Sequence, residues 1–192
     1  MRTLVLASQS PYRQLQLAKL RLPFVSFAPN IDESSKAQET AEDLVLRLSI
    51  TKAQKAALDY PNALIIGSDQ VAIFEGRILG KPGNHEKATQ QLLAFSGKKV
   101  LFLTGLCLFD SASQQCQSAA IPFEVTFRTL SEQQIDRYLL QEQPYDCAGS
   151  FKSEGLGIAL FEKMSGDDPN SLIGLPLIQL TSMLYKAGVD VL

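Results

Sequence analysis

Residues 63–66 read Ala-Leu-Ile-Ile, an unbroken apolar run that stops at Gly67, Ser68 and Asp69. A half-exposed strand alternates apolar and polar side chains, so a short continuous run fits a central strand covered on both faces. Such a strand needs helices around it, and the flanking sequence offers them. Residues 3–6 form a second short apolar run, after which Ser10 reads as a helix N-cap with Pro11 in the first helical position. Leu15, Leu17, Leu20 and Leu22 carry that helix to Pro23, and FVSFA reads as the next strand. A polar loop, PNIDESSKAQE, leads into a helix over 40–57, with Glu42 and Asp43 in its first turn and lysines toward its end.

Beyond Asp69, VAIFEGRILGKP reads as a hairpin turning at Glu75-Gly76. A helix follows over 85–95, then strands over 100–109 and 118–128 separated by the polar turn DSASQQ. Ser131 and Gln134 open the next helix as a capping box. A glycine-rich loop, a short apolar stretch IALFE and a helix over about 171–187 complete the chain. Strands alternate with helices, but two hairpins intervene. The expected fold is therefore α/β with a central mixed sheet flanked by helices. With 192 residues and no internal repeat or linker, one domain spanning residues 1–192 is expected, with at most a lobe.

Composition narrows the function. Apolar residues make up 45% and charged residues 20%, ordinary globular usage that sets aside disordered, collagen-like and coiled-coil chains. A formal net charge of -2 gives no general attraction to polyanions, so neither a nucleic-acid polymer nor an anionic membrane surface is an expected partner. The opening MRTLVLAS is too short for a secretory segment or a membrane span, and a cytoplasmic location is expected. Cys107, Cys116 and Cys147 are odd in number and form no CxxC pair, which suits reduced, buried thiols. The lone His85, read as a surface residue, rules out a histidine metal cluster and a Ser-His-Asp triad. Carboxylates, lysines and arginines must carry any chemistry.

Several such residues sit at element ends. Ser8, Ser10 and Arg13 bring two hydroxyls and a guanidinium to a strand-to-helix junction, where backbone amides and the helix dipole favour phosphate; a capped helix with a surface arginine is the equal alternative. Asp69, at the expected C-terminal end of its strand, suits a base or a metal ligand, though a carboxylate in a polar turn is nearly as common. Lys52 shares a helical stripe with Val45, Leu48 and Ala56, so its ammonium either snorkels to solvent or points into a site that holds phosphate. Asp32 and Glu33 in the preceding loop, with Lys81 in GKP, complete a set of acidic and basic groups suited to metal-assisted phosphoryl chemistry.

The pieces LVLASQSPYR, PNIDE, IIGSDQV, GKP before a helix, and CAGSFKSEGLG together resemble the Maf family of nucleoside triphosphate pyrophosphatases over essentially the whole chain. The resemblance implies a highly twisted mixed sheet in two lobes with a cleft, similar in shape to the inosine triphosphate pyrophosphatases. It also implies a divalent cation, magnesium or manganese, and frequent homodimerisation. On matching positions, Asp69 is implied as general base, Glu33 as a catalytic carboxylate, and Ser8, Ser10, Arg13, Lys52 and Lys81 as the set that binds and activates the triphosphate. Glu33 and Asp69 are the implied metal ligands.

One departure concerns the base. Family members that act on dTTP and UTP carry a threonine after the aspartate and a segment of the type AGxYxIQG, where this chain reads Asp69-Gln70 and AGSFKSEG. These changes, with Tyr12, resemble the subfamily that prefers 7-methyl-GTP. The chemistry agrees, because the Glu154 carboxylate can accept from two guanine donors where thymine or uracil offers one. An aromatic ring at Tyr12 can stack on the cationic methylated purine. A dTTP or UTP pyrophosphatase, and a nucleotide-binding regulator of cell division without turnover, stand as the alternatives.

Overall fold

A computed structural model of the chain describes residues 2–192. In chain order the elements are β1 (Thr3–Leu6), α1 (Pro11–Ala18), β2 (Phe24–Ser26), α2 (Ala41–Ala57), β3 (Ala63–Phe74), β4 (Arg77–Leu79), α3 (His85–Phe95), β5 (Lys99–Asp110) and β6 (Gln115–Phe127). Then come α4 (Glu132–Glu142), two 3-10 turns at Ala148–Ser150 and Leu156–Leu160, β7 (Phe161–Ser165), α5 (Pro169–Leu172) and α6 (Leu177–Lys186). The seven strands make one sheet in the order β2-β1-β3-β5-β6-β7, with β4 paired to β3. Pairing of β1 with β2 and β3 is parallel, whereas β3 with β4 and β6 with β7 are antiparallel. The sheet is mixed.

The continuous apolar runs are explained by their two-sided burial. Leu4, Leu6, Leu64, Ile66, Leu106 and Leu108 pack with Leu17 of α1 and Leu177, Leu180, Met183 and Leu184 of α6. Their neighbours Val5, Ala7, Ala63, Ile65, Cys107 and Phe109 pack with Ala53 and Ala56 of α2. Successive side chains of each strand thus enter opposite cores, and no position in the run is left for water.

The small residues on the α2 side have a further consequence. A Cβ built on Gly67 would lie 1.9 Å from the Ser49 carbonyl oxygen, and one on Gly105 would lie 2.2 Å from that of Val45. The backbone of α2 therefore rests directly on β3 and β5. Gly67→Ala forces the helix away and should cost about 1–3 kcal/mol. A thermal melt should register this as roughly 2–4 °C per kcal/mol at this chain length, and an unchanged melting temperature would contradict the close approach.

The chain divides into two compact units, one of residues 1–70, 104–121 and 168–192, the other of residues 71–103 and 122–167. The first contains both cores described above. The second is built on phenylalanines: the Phe127 ring lies 5.2 Å from Phe95, 5.9 Å from Phe151 and 5.3 Å from Phe161, centroid to centroid. In the same unit His85 joins α3 to its surroundings, with Nδ1 3.1 Å from the Tyr145 hydroxyl and Nε2 3.1 Å from Asp136, so it is not a plain surface histidine.

Two boundaries and the burial of the cysteines differ from expectation. Helix α1 ends at Ala18, well before Pro23, because Arg21 takes a left-handed conformation with φ 55°. The expected final helix is two helices, α5 and α6, separated by Gly174 at φ 102° and Pro176. Of the cysteines only Cys107 is buried, and burial pushes its thiol pKa up; Cys116, whose sulfur lies 3.4 Å away, is exposed. No helix among the described residues is long and apolar enough to cross a membrane.

Candidate active site

The site forms around Lys52. Thr40 caps α2 by accepting a hydrogen bond from the Asp43 amide at 3.1 Å, and acidic Glu42 and Asp43 suit the positive end of the helix. About three turns on, Lys52 emerges on the buried face beside Leu48, Ser49 and Ala53, only 4% exposed. Its ammonium does not snorkel. Nζ donates to Asp69 Oδ1 at 2.7 Å and lies 2.8 Å from Glu33 Oε1. An ammonium so buried is tolerable only because two carboxylates meet it.

Asp69 does not end its strand as expected. Strand β3 runs on to Phe74, with its parallel pairing to β1 finishing at Ile66 and its antiparallel pairing to β4 beginning at Ala72. Asp69 falls in the stretch between, 8% exposed. The strand alternation that sends Ala63 and Ile65 toward α2 sends Asp69 the same way, which is why it meets Lys52.

Glu33 reaches the ammonium from a loop, with its side chain 56% exposed. Its neighbour Asp32 is occupied instead with its own turn, accepting from the Ser34 amide at 2.9 Å, and that bond lowers its carboxyl pKa. Arg47 of α2 holds the loop: its guanidinium donates to Glu39 Oε1 at 2.5 Å, to Glu39 Oε2 at 2.8 Å and to the Ser34 carbonyl at 3.0 Å. The Arg47 fork keeps the Glu39 carboxyl down at about 2.

At the β1–α1 junction the helix cap forms as expected, but the arginine is not on the surface. Ser10 caps the helix through the Arg13 amide at 3.4 Å, and Ser8, buried at 6% exposure, accepts from the Ser10 amide at 3.1 Å. Arg13 is not a surface arginine. It is half-buried with Nε donating to the Gly174 carbonyl at 2.8 Å, and burial draws its pKa down while the charges of Asp69 and Glu33 pull it up. Tyr12 beside it is also half-buried.

The opposite side of β3 carries a second set of contacts, none of which residue type alone announces. Ser68 donates to the carbonyls of Gly105 at 2.9 Å and Gly174 at 2.8 Å. Gln70 Nε2 donates toward Thr104 Oγ1, Ser171 O and Leu172 O at 3.0, 2.8 and 3.1 Å. Residues 171–174 thus fix Arg13, Ser68 and Gln70 through backbone carbonyls. Asp168, 2% exposed, anchors that segment by accepting from the amides of Asn170 at 2.9 Å and Ile178 at 2.8 Å. The available signal was the Asp168-Pro169 start and the Gly174-Leu175-Pro176 break, which mark a loop between two helices.

Lys81 and Glu154 belong to the second unit, and both are exposed. Lys81 makes no hydrogen bond or ion pair among the described residues. Glu154 accepts from the Ser153 hydroxyl at 3.5 Å, the limit of a hydrogen bond. In the first unit Arg13, Glu33, Lys52 and Asp69 are brought together, with two negative and two positive charges.

A divalent cation can be tested against this donor set. Among the described residues no group of three His, Cys, Asp or Glu side chains could hold a metal ion. Two hard carboxylates do converge, since Asp69 and Glu33 touch the same Nζ. Magnesium usually takes one or two carboxylates and completes its shell with water and phosphate oxygens, so Asp69 and Glu33 fit that mode.

The family model described as Maf-like protein matches residues 3–187. The 7-methyl-GTP pyrophosphatase of Nitrosococcus oceani is 58% identical over 190 residues, covering 99% of this chain and 96% of that protein. The 7-methyl-GTP pyrophosphatase of Pseudomonas aeruginosa is 57% identical over 188 residues, covering 98% of each. Among solved structures, the Staphylococcus aureus Ham1 protein aligns with a TM-score of 0.48 and 14% identity, over 67% of this chain and 73% of that one.

Proposed function

The chain belongs to the Maf family, and from that premise we propose that it hydrolyses a nucleoside triphosphate, by preference 7-methyl-GTP, to the monophosphate and pyrophosphate. The observation that carries the reading is the buried Lys52 ammonium held between Asp69 and Glu33. A carboxylate beside a cation, in a site poor in water, can take a proton while the cation meets phosphate charge.

In the proposed reaction a water oxygen attacks the α-phosphorus and the bond from that phosphorus to the α–β bridging oxygen breaks. Asp69 takes the proton of the water. Lys52, Arg13 and Lys81 meet the charge that gathers on the departing pyrophosphate, and Ser8 and Ser10 hold the phosphates at the start of α1. Asp69 and Glu33 would hold a magnesium or manganese ion, which would supply charge neutralisation and orientation for the triphosphate. The activity is assigned to the cytoplasm and its free nucleotides.

The base is assigned to Tyr12, Gln70 and Glu154. Stacking of Tyr12 on a cationic 7-methylguanine adds about 0.5–2 kcal/mol. Glu154 is suited to the paired N–H donors of guanine, and a base with fewer donors leaves the carboxylate partly unpaired at about 1–3 kcal/mol. The test is a panel of pyrophosphate-release rates over canonical and methylated triphosphates. Wild type should favour 7-methyl-GTP over dTTP and UTP by roughly tenfold to a hundredfold, and Glu154→Gln should narrow that gap more than it slows turnover. Faster release from dTTP or UTP than from any guanine nucleotide defeats the assignment of the base and leaves the pyrophosphatase reading standing.

A further inference from the structure

Gln70 has an amide whose orientation is settled by its surroundings. Its Nε2 faces three oxygens, Thr104 Oγ1 at 3.0 Å, Ser171 O at 2.8 Å and Leu172 O at 3.1 Å. Two are backbone carbonyls, which only accept. The third is a hydroxyl whose one hydrogen is committed to Ser171 O at 2.9 Å, so toward Gln70 it also accepts. With the amide reversed, Oε1 would face two carbonyl oxygens that have no hydrogen to give and a hydroxyl whose hydrogen is already engaged by Ser171 O, so the NH2 end sits there.

The other end follows from the same geometry. Both Nε2 hydrogens are consumed, and Oε1 makes no hydrogen bond among the described residues. It is not sealed in the interior either, because the sole buried side-chain nitrogen or oxygen without a partner, among the described residues, is Gln16 Oε1. Gln70 therefore presents one accessible carbonyl oxygen and no donor. Thr104, 1% exposed, is beneath this arrangement and bonds Gln70 and residue 171 together.

The geometry points to Thr104 as a positioning residue for specificity: by accepting from Gln70 Nε2 and donating to the Ser171 carbonyl, it holds both the amide and one of the two carbonyls that orient it, and so keeps Gln70 an acceptor that favours bases with N–H donors over bases presenting carbonyls. The inference rests on Gln70 facing the base, as proposed above. A glutamine free to turn would accept from or donate to either kind of edge, and its selectivity would be lost. A guanine edge with adjacent N1–H and amino donors satisfies a fixed acceptor, whereas a uracil edge sets carbonyls on both sides of its single N–H.

The test compares wild type, Thr104→Val and Thr104→Ser as full chains, by kcat and KM for 7-methyl-GTP and UTP. Valine keeps the shape and removes the oxygen, so the ratio of kcat/KM between the two substrates should shrink by about tenfold, through KM, with kcat for 7-methyl-GTP held within about threefold. Serine restores the oxygen and should restore the ratio, which a merely structural role for the side chain would not require. A folded Thr104→Val with the wild-type ratio overturns the inference. If wild type instead favours UTP, the guanine reading and the acceptor role of Gln70 fail together, whereas a wild-type guanine preference left unchanged in Thr104→Val overturns the inference alone. Wild type without preference overturns both. Should the valine variant not fold, proton NMR of the wild-type Gln70 amide decides: two separate resonances protected from solvent exchange support the inference, and free exchange of both overturns it.

Discussion

Asp69→Asn should lose about 10²–10⁴-fold in kcat while the protein stays folded, the range a positioned proton acceptor contributes. The substitution is nearly isosteric. An asparagine oxygen can still accept from Lys52 Nζ, and Glu33, 2.8 Å from that ammonium, continues to balance its charge. What disappears is basicity, because an amide cannot take a proton from water near neutral pH. Pyrophosphate release and a thermal melt on the same sample separate the two effects. Wild-type rates from Asp69→Asn would remove Asp69 from its role as base and transfer that role to another carboxylate, for which Glu33 is placed.

Lys52→Met should lower kcat/KM by about 10²–10³-fold, the loss seen when one preorganised donor to developing charge is removed. Methionine matches the length of the lysine stem and preserves its packing beside Leu48 and Ala53. The variant leaves Asp69, 8% exposed, without the cation that meets it at 2.7 Å, so the melting temperature should fall as well. Lys52→Arg keeps the charge but brings a broad planar group to a place where α2 lies against β3, and should recover only part of the activity. Full activity in Lys52→Met would show that the ammonium serves only to neutralise Asp69 and Glu33.

Much of the fold was legible because its signals are local. The run at 63–66 is a buried strand, the turn at Glu75-Gly76 closes the β3–β4 hairpin with φ 48° and 75°, and Ser131 with Gln134 forms a capping box. Asn84 caps α3, and α2 begins one residue after Thr40. Lys52 was legible in part, since its helical stripe put it on an apolar face but left open whether its ammonium snorkels or points into a site. The misread elements were those where a single backbone conformation decides. Arg21 at φ 55° stops α1 where the leucine pattern alone would continue, and Gly174 divides a stretch whose composition suits one long helix.

Within the site, the sequence could name side chains with chemistry but not the groups that aim them. Ser171 and Gly174 act through carbonyl oxygens, which every residue has, so no residue type reveals them. Gly67 and Gly105 matter for the atoms they lack, which lets α2 bring Lys52 down to Asp69. By residue type Asp32 and Glu33 are equivalent adjacent acids, and only the family resemblance singles out Glu33. The path of the loop separates them, turning Asp32 back onto Ser34 and Glu33 toward Lys52.

The central claim is that water attacks the α-phosphorus of 7-methyl-GTP, and hydrolysis in oxygen-18 water tests it directly. The products are separated and their masses read. The account predicts one heavy oxygen in 7-methyl-GMP and an unlabelled pyrophosphate, released in equal amounts. Label in the pyrophosphate, or release of orthophosphate with a nucleoside diphosphate, would contradict it.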